Sequence, residues 1–164
     1  MSLLDSQMRW LIVSLAIIAL DLVTKAFAVQ YLPYGTPVKI FSFFNLTLVY
    51  NYGAAFSFLN NAATFWQVIL LSSVTLVIMV LIFFWLLKLS RNKNGLALAL
   101  CLILGGAAGN LYDRIVHGYV VDFLDFHIQN YHWPAFNIAD SAICIGVVLI
   151  VFFNFSSPRE KVKR

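Results

Sequence analysis

Long apolar runs alternate with short polar interruptions along this chain of 164 residues, and the runs exceed what the interior of a soluble domain needs. Four of them, Trp10 to Val29, Phe65 to Leu87, Leu96 to Ile115 and Phe136 to Phe155, reach the roughly 20 residues with which a helix crosses about 30 Å of hydrocarbon. The pattern predicts an all-α membrane protein with four transmembrane helices and a partly β extracytoplasmic loop region. That region runs from about Gln30 to Thr64, too long for a turn and too apolar for a disordered linker. Pro33, Gly35 and Pro37 punctuate its start. From Asn45 to Asn51 the polarity then alternates, with Leu46, Leu48 and Tyr50 on one side and Asn45, Thr47 and Asn51 on the other, the period of a strand. The next stretch, Gly53 to Leu59, passes from small to aromatic residues and reads either as part of a hairpin capping the bundle or as a segment dipping into the headgroup layer.

Composition strengthens the membrane reading. Hydrophobic residues make up 62% and charged residues 11%, against about 25% charged in soluble domains, and the mean hydropathy is +0.86. No linker, charge run or internal repeat divides the chain, so residues 1–164 read as a single integral membrane domain. The net charge of +4 does not indicate nucleic acid, because the basic residues share neither a motif nor an amphipathic face. They follow topology instead. Arg9 precedes the first span, Lys88, Arg91 and Lys93 fill the loop after the second, and Arg159, Lys161, Lys163 and Arg164 form the tail. The positive-inside rule puts these segments, and both termini, in the cytoplasm. Trp10, Trp66, Trp85 and Trp133 fall near span ends, where amphipathic rings favour the interface. Ala26-Phe27-Ala28 has the small-x-small form of a signal-peptide cleavage site, but Asp21 and Lys25 interrupt the run before it, and an inside-to-inside arrangement of four spans retains the first helix. Cys101 and Cys144 lie within spans at no metal-ligand spacing and read as small buried residues.

Only seven residues are acidic, and two of them, Asp122 and Asp140, bracket the polar stretch between the last two apolar runs. Charges at the edge of a bilayer persist mainly where they pair, line a wet cavity or perform chemistry. Before this stretch, Gly105-Gly106-Ala-Ala-Gly109 permits close helix contact. Gly106, Asn110 and Arg114 recur every four residues and share a helix face. Asn137 and Asp140, three apart, share another at the same depth. Asp21 and Lys25, four apart, are expected to form an intrahelical ion pair. Arg114 reads as a cation reaching for the headgroups or a clamp on a substrate oxygen, and Asp113 as pointing to solvent or a helix-end hydrogen bond. His117, His127 and His132 match no zinc spacing and read as packing or hydrogen-bonding groups. The chain carries no GxSxG elbow, P-loop or strand-borne GxGxxG. Two neighbouring carboxylates cannot both ionise cheaply, so one keeps a proton while the other acts as base, a division that suits amide hydrolysis by water. Asp125, three residues after Asp122, is the competing first acid if the segment is helical.

Five segments together resemble the lipoprotein signal peptidases, the signal peptidase II family of bacterial aspartic membrane proteases. They are Asp21 with Lys25, Asn51-Tyr-Gly-Ala-Ala-Phe-Ser57, Gly105 to Arg114, Val120-Val-Asp122-Phe, and Phe136-Asn-Ile-Ala-Asp140-Ser-Ala. The resemblance implies a multi-pass protein of the bacterial cell inner membrane with an active site near the outer face. Its implied reaction is removal of the signal peptide from diacylglyceryl-modified prolipoproteins, just before the lipidated cysteine. It further implies Asp122 and Asp140 as the catalytic dyad, with Asp125 a bystander. Asn51, Gly106, Asn110, Arg114, Asn137 and Ala139 match positions that line the substrate or support the dyad, and Asp21 with Lys25 a structural pair. No cofactor or metal is expected, and the expected partners are the prolipoprotein substrate and membrane lipids, with the chain acting as a monomer. In that setting Gly53 to Leu59, with Phe56 and Phe58, is a candidate cradle or lid. The competing function is a small proton- or ion-coupled transporter relaying charge through Asp21, Lys25, Asp122 and Asp140. A non-catalytic scaffold packed through Gly105 and Gly109 leaves the convergent polar groups unexplained.

Overall fold

The computed structural model describes residues 7–53 and 65–156. Among the described residues are four helices long and apolar enough to cross a membrane: α1 (Leu11–Tyr31), α2 (Phe65–Leu87), α3 (Asn94–His117) and α4 (Ile138–Ser156). The bounds of α2 match the sequence expectation, and those of the other three helices differ from it by a few residues, for local reasons. Glycine at 118 adopts φ +80° and its N–H bonds to the Arg114 carbonyl, which carries α3 to His117 before stopping it. Phe136 pairs with Leu124 as an isolated β-bridge instead of opening α4, which begins only after Asn137. The basic tail and most of the lid candidate, residues 54–59, lie outside the described residues.

A four-stranded antiparallel sheet sits at the end of the bundle where α1 and α3 finish and α4 begins. Its strands are β1 (Val38–Phe41), β2 (Phe44–Asn51), β3 (Val120–Ile128) and β4 (Tyr131–His132), in that spatial order. β2 answers the alternation seen in the sequence. β3 was not anticipated: Val120 to Ile128 is rich in β-branched and aromatic residues, but lies in what read as a short polar connection. Because Asp122 and Asp125 stand on a strand, a spacing of three sends them to opposite faces and not to one helical face. The partner strand corrects a second expectation. β2 and β3 slip register between Leu46 and Val49, three residues of β2 matching two of β3. The bulge takes Asn51 off the face of Asn45 and Thr47 and puts it on the face of Asp122.

Helix α3 is the centre of the bundle, packing on α1, α2 and α4. In its most apolar stretch 67% of the residues are buried, against 22% in α1, 17% in α4 and none in α2. Small residues make this possible. A Cβ on Gly109 would come 2.5 Å from the Asp21 carboxylate, and one on Gly106 would collide with the Ala139 carbonyl oxygen at the start of α4. One apolar cluster, including Leu86, Leu96, Leu100 and Cys101, fills the end away from the sheet. There Gln7 donates to the Ser90 carbonyl and Arg9 to Asn94, tying the start of α1 to the α2–α3 connection. A second cluster of Ala28, Leu48, Val121 and Phe123 seals the sheet onto the helices. Cys101 is buried as expected, whereas Cys144 is exposed, because its face of α4 looks outward from the bundle.

Candidate active site

The polar groups of the helices converge at the sheet end. Lys25 Nζ lies 2.7 Å from Asp21, the expected intrahelical pair, and also 2.9 Å from Asp113 on α3 and 2.9 Å from Asn110 Oδ1. An ammonium has three protons, so these three acceptors saturate it. Asp113 therefore corrects the expectation of a residue pointing to solvent or to a helix-end hydrogen bond: it is buried, pairs with Lys25, and accepts the backbone N–H of Val121 at 3.1 Å, one residue before Asp122. The signal was present in the spacing, since Asp113 follows Gly109 by one helical turn and shares the face turned to α1. His117 Nδ1 stands 3.7 Å from the other Asp113 oxygen.

The start of α4 is built from side chains of its own first turn and of α1. Asn137 and Asp140 form a reciprocal capping box: the Asp140 N–H donates to Asn137 Oδ1 at 2.9 Å and the Asn137 N–H to Asp140 Oδ2 at 3.2 Å. The N–H of fully buried Ala139 donates to Asp21 Oδ1 at 2.9 Å. A helix N-terminus leaves orphan donors and a partial positive charge, and here two carboxylates and an amide receive them.

Three asparagines then aim at two acids. The Oδ1 of each faces a group that can only donate: Lys25 for Asn110, the Gly53 N–H for Asn51 and the Asp140 N–H for Asn137. Donor-only partners fix which way an amide points. Each Nδ2 is consequently turned to a carboxylate, from Asn110 to Asp140 at 2.7 Å, from Asn51 to Asp122 at 2.9 Å and from Asn137 to Asp122 at 2.8 Å. Asn137 thus joins the two acids, donating to Asp122 through its side chain and to Asp140 through its backbone. Arg114 is half-buried, with its Nη1 3.4 Å from the Asn110 carbonyl and its charge acting on Asp140, Asp122 and Asp113.

Asp122 is almost wholly shielded from solvent, and burial pushes its carboxyl up to about 7. The Asn51 bond pulls it down, the Asp140 charge pushes it up further, and Lys25 and Asn137 pull it down again. Asp125 behaves differently. Burial pushes it up, but the bonds from His132 at 2.7 Å, Thr47 at 2.9 Å and Asn45 at 3.3 Å outweigh burial and hold it below the ordinary carboxylate range. The structure accordingly brings together Asn51, Gly106, Asn110, Arg114, Asn137, Ala139, Asp122 and Asp140, with Asp21 and Lys25 beneath them, and leaves Asp125 on the far face of the sheet. Among the described residues no group of three metal-ligating side chains forms a metal site.

A carboxyl raised to about 7 binds a proton that the unfolded chain has lost above an ordinary value of 3.8, so its contribution to stability falls as pH rises through that window. An Asp122→Asn protein lacks this loss. It should melt about 5 °C above wild type at pH 8, with the gap closing by pH 4, as read by thermal unfolding in one detergent at both pH values. Equal melting temperatures at pH 8 would show that Asp122 is not penalised by burial.

A family described as "Signal peptidase (SPase) II" matches residues 13–156. A protein named "Lipoprotein signal peptidase" from Francisella tularensis subsp. novicida is 51% identical over 151 residues, covering 92% of this chain and 94% of its own length. Another of that name from Coxiella burnetii is 45% identical over 152 residues, with 93% of each chain covered. A solved structure described as a bacterial membrane enzyme, determined in meso at 1.9 Å, superposes with a TM-score of 0.80 at 29% identity and covers 92% of this chain and 94% of its own. The chain is therefore a member of the signal peptidase II family.

Proposed function

We propose that this chain is an aspartic endopeptidase that removes the signal peptide from diacylglyceryl-modified prolipoproteins, cutting before the lipidated cysteine, with Asp122 and Asp140 as its dyad. The observation that carries the reading is the aim of Asn51, Asn110 and Asn137, which gathers two carboxyls around one set of amide donors. The family match and the relatives named lipoprotein signal peptidase support the substrate class.

In this mechanism Asp122 keeps its proton near neutral pH and hydrogen-bonds the scissile carbonyl. Asp140, whose oxygens are oriented by the Asn110 amide and the Asn137 N–H, takes a proton from water as it attacks. The oxyanion draws the Asp122 proton. On collapse that proton returns to Asp122, and the cysteine amine leaves with the proton Asp140 took from water. Lys25 fixes the Asn110 amide, and Asp113 holds the strand at Val121, so both act by positioning. Arg114 balances the negative charge. The basic residues Arg9, Lys88, Arg91 and Lys93 lie at the bundle end opposite the sheet, which supports cytoplasmic termini and an outward-facing site in the bacterial inner membrane. A set of acids, amides and cation within one chain supports action as a single-domain monomer.

The test is cleavage of a diacylglyceryl-modified prolipoprotein by the purified chain in lipid with chelator present, beside the same precursor without its lipid. Cleavage of the lipidated form alone is expected, immediately before the modified cysteine. Because the proton on Asp122 is needed, kcat/KM should decline as pH rises through about 7, roughly tenfold per pH unit on the alkaline limb. A rate flat from pH 6 to 9, or one abolished by chelator, would remove the proposed roles.

A further inference from the structure

Beyond the acids, the sheet carries a patch that this chemistry does not use. Where the β1–β2 turn meets the β3–β4 hairpin, Phe43, Phe126, His127, Ile128, Tyr131 and Trp133 line an open cleft of about 430 Å³. None of these residues hydrogen-bonds Asp122 or Asp140 among the bonds described above. The rings form a stacked row, Phe43 on Phe126 at 6.3 Å and Phe126 on Phe136 at 5.9 Å. Three tips stand far out: Ile128 is 78% exposed, Tyr131 74% and Trp133 64%. A contiguous patch of large apolar groups on a hairpin marks a contact surface, not a face meant for water alone.

Its chemistry and position narrow the occupant. No carboxylate lines the cleft, because Asp125, the acid of this region, turns inward to His132, Thr47 and Asn45. Tryptophan, tyrosine and phenylalanine without acidic neighbours are the composition of the aromatic belts at membrane–water boundaries. The patch is also continuous with the spanning region. Trp133 donates its N–H to the Phe126 carbonyl, Phe136 pairs with Leu124, and α4 begins at Ile138. Trp133 stands five positions before that span, a reach of at most about 17 Å.

We propose that this aromatic face lies in the headgroup layer of the bilayer, with Ile128, Tyr131 and Trp133 as its anchors, so that the sheet rests on lipid. The occupant is bilayer lipid; it is not a second copy of the chain and not the substrate. Since β3 carries both Asp122 and this hairpin, the anchor fixes the depth at which the acids meet a membrane-borne scissile bond. The lipid contact itself does not depend on the peptidase reading, only its consequence for the acids does, and its test needs no substrate.

The full chain, with Trp10, Trp66 and Trp85 replaced by Phe, is reconstituted in phosphatidylcholine vesicles so that Trp133 is the sole reporter. Emission should be blue-shifted, quenched at least twofold by lipids brominated high on the acyl chain, and protected from iodide in the water. Quenching by iodide with indifference to brominated lipid would overturn the proposal by placing the ring in water. Protection from both quenchers would overturn it in favour of a protein-covered face. If the triple variant does not fold, a nitroxide on Ile128→Cys in a Cys144→Ser background gives the same decision. Collisions with oxygen exceeding those with a polar nickel chelate support lipid contact, and the reverse overturns it.

Discussion

Replacing either Asp122 or Asp140 with asparagine should reduce cleavage of a lipidated precursor by about 10⁴-fold or more while leaving the chain folded. Asparagine preserves size but can neither take a proton from water nor hold one for the oxyanion. The two losses should not add, because the proposed mechanism needs both acids at once. The accompanying control is Asp125→Asn, which should keep activity within a few-fold, since Asp125 is committed to His132, Thr47 and Asn45 on the opposite face. Purified proteins compared by precursor cleavage, with helical content checked by circular dichroism, decide the matter. A folded Asp140→Asn protein that still cuts at more than about a hundredth of the wild-type rate would exclude Asp140 as the base.

Lys25→Met should be the most damaging single change to stability, by about 3–5 kcal/mol. The methionine fits the space but leaves Asp21 and Asp113 facing each other in a buried site with no cation between them. It also frees the Asn110 amide, so whatever protein does fold should lose cleavage. A double-mutant cycle separates these effects. In an Asp113→Asn background, Lys25→Met should cost substantially less than in wild type, because one of the two stranded charges is already gone. Equal costs in both backgrounds, measured by denaturant or thermal unfolding, would mean that Lys25 and Asp113 do not interact.

What could be read from the sequence divides along the reach of each signal. The four spans, the Asp21–Lys25 pair and the shared face of Gly106, Asn110 and Arg114 depend on helical periodicity alone, so spacing was enough. The Asn137–Asp140 relation was visible as well, although its physical form is a capping box and not merely a shared face. Features that depend on a distant partner were misread. Asp113 reads as turned to solvent or to a helix-end hydrogen bond because Lys25, its counterion, stands 88 positions earlier in the chain. Asn51 was grouped with Asn45 and Thr47 because a bulge leaves no mark in the polarity of its own strand; only the pairing with β3 reveals it. β3 itself was hidden by its neighbours, nine residues between two membrane runs that drew attention to its charges more than its β-branched and aromatic content. The closeness of Asp122 and Asp140 was suggested by order along the chain and by family motifs, and no spacing rule required it.

The bond from the Ala139 N–H to Asp21 joins residues 118 positions apart. At a synthesis rate of about 5–20 residues per second, the first helix waits roughly 6–24 s for that partner to be made. During this interval Asp21 has only Lys25, one turn away on the same helix, to offset its charge in the bilayer. The pair that later braces the acids thus first serves as a temporary escort for the helix that carries it. A chain stopped before its last span can hold Asp122 on its strand, yet has neither Asp140 nor the helix end that positions it. With Asp122 and Asp140 as the proposed dyad, a ribosome-bound fragment that has not reached this helix cannot cut the lipoproteins being made around it.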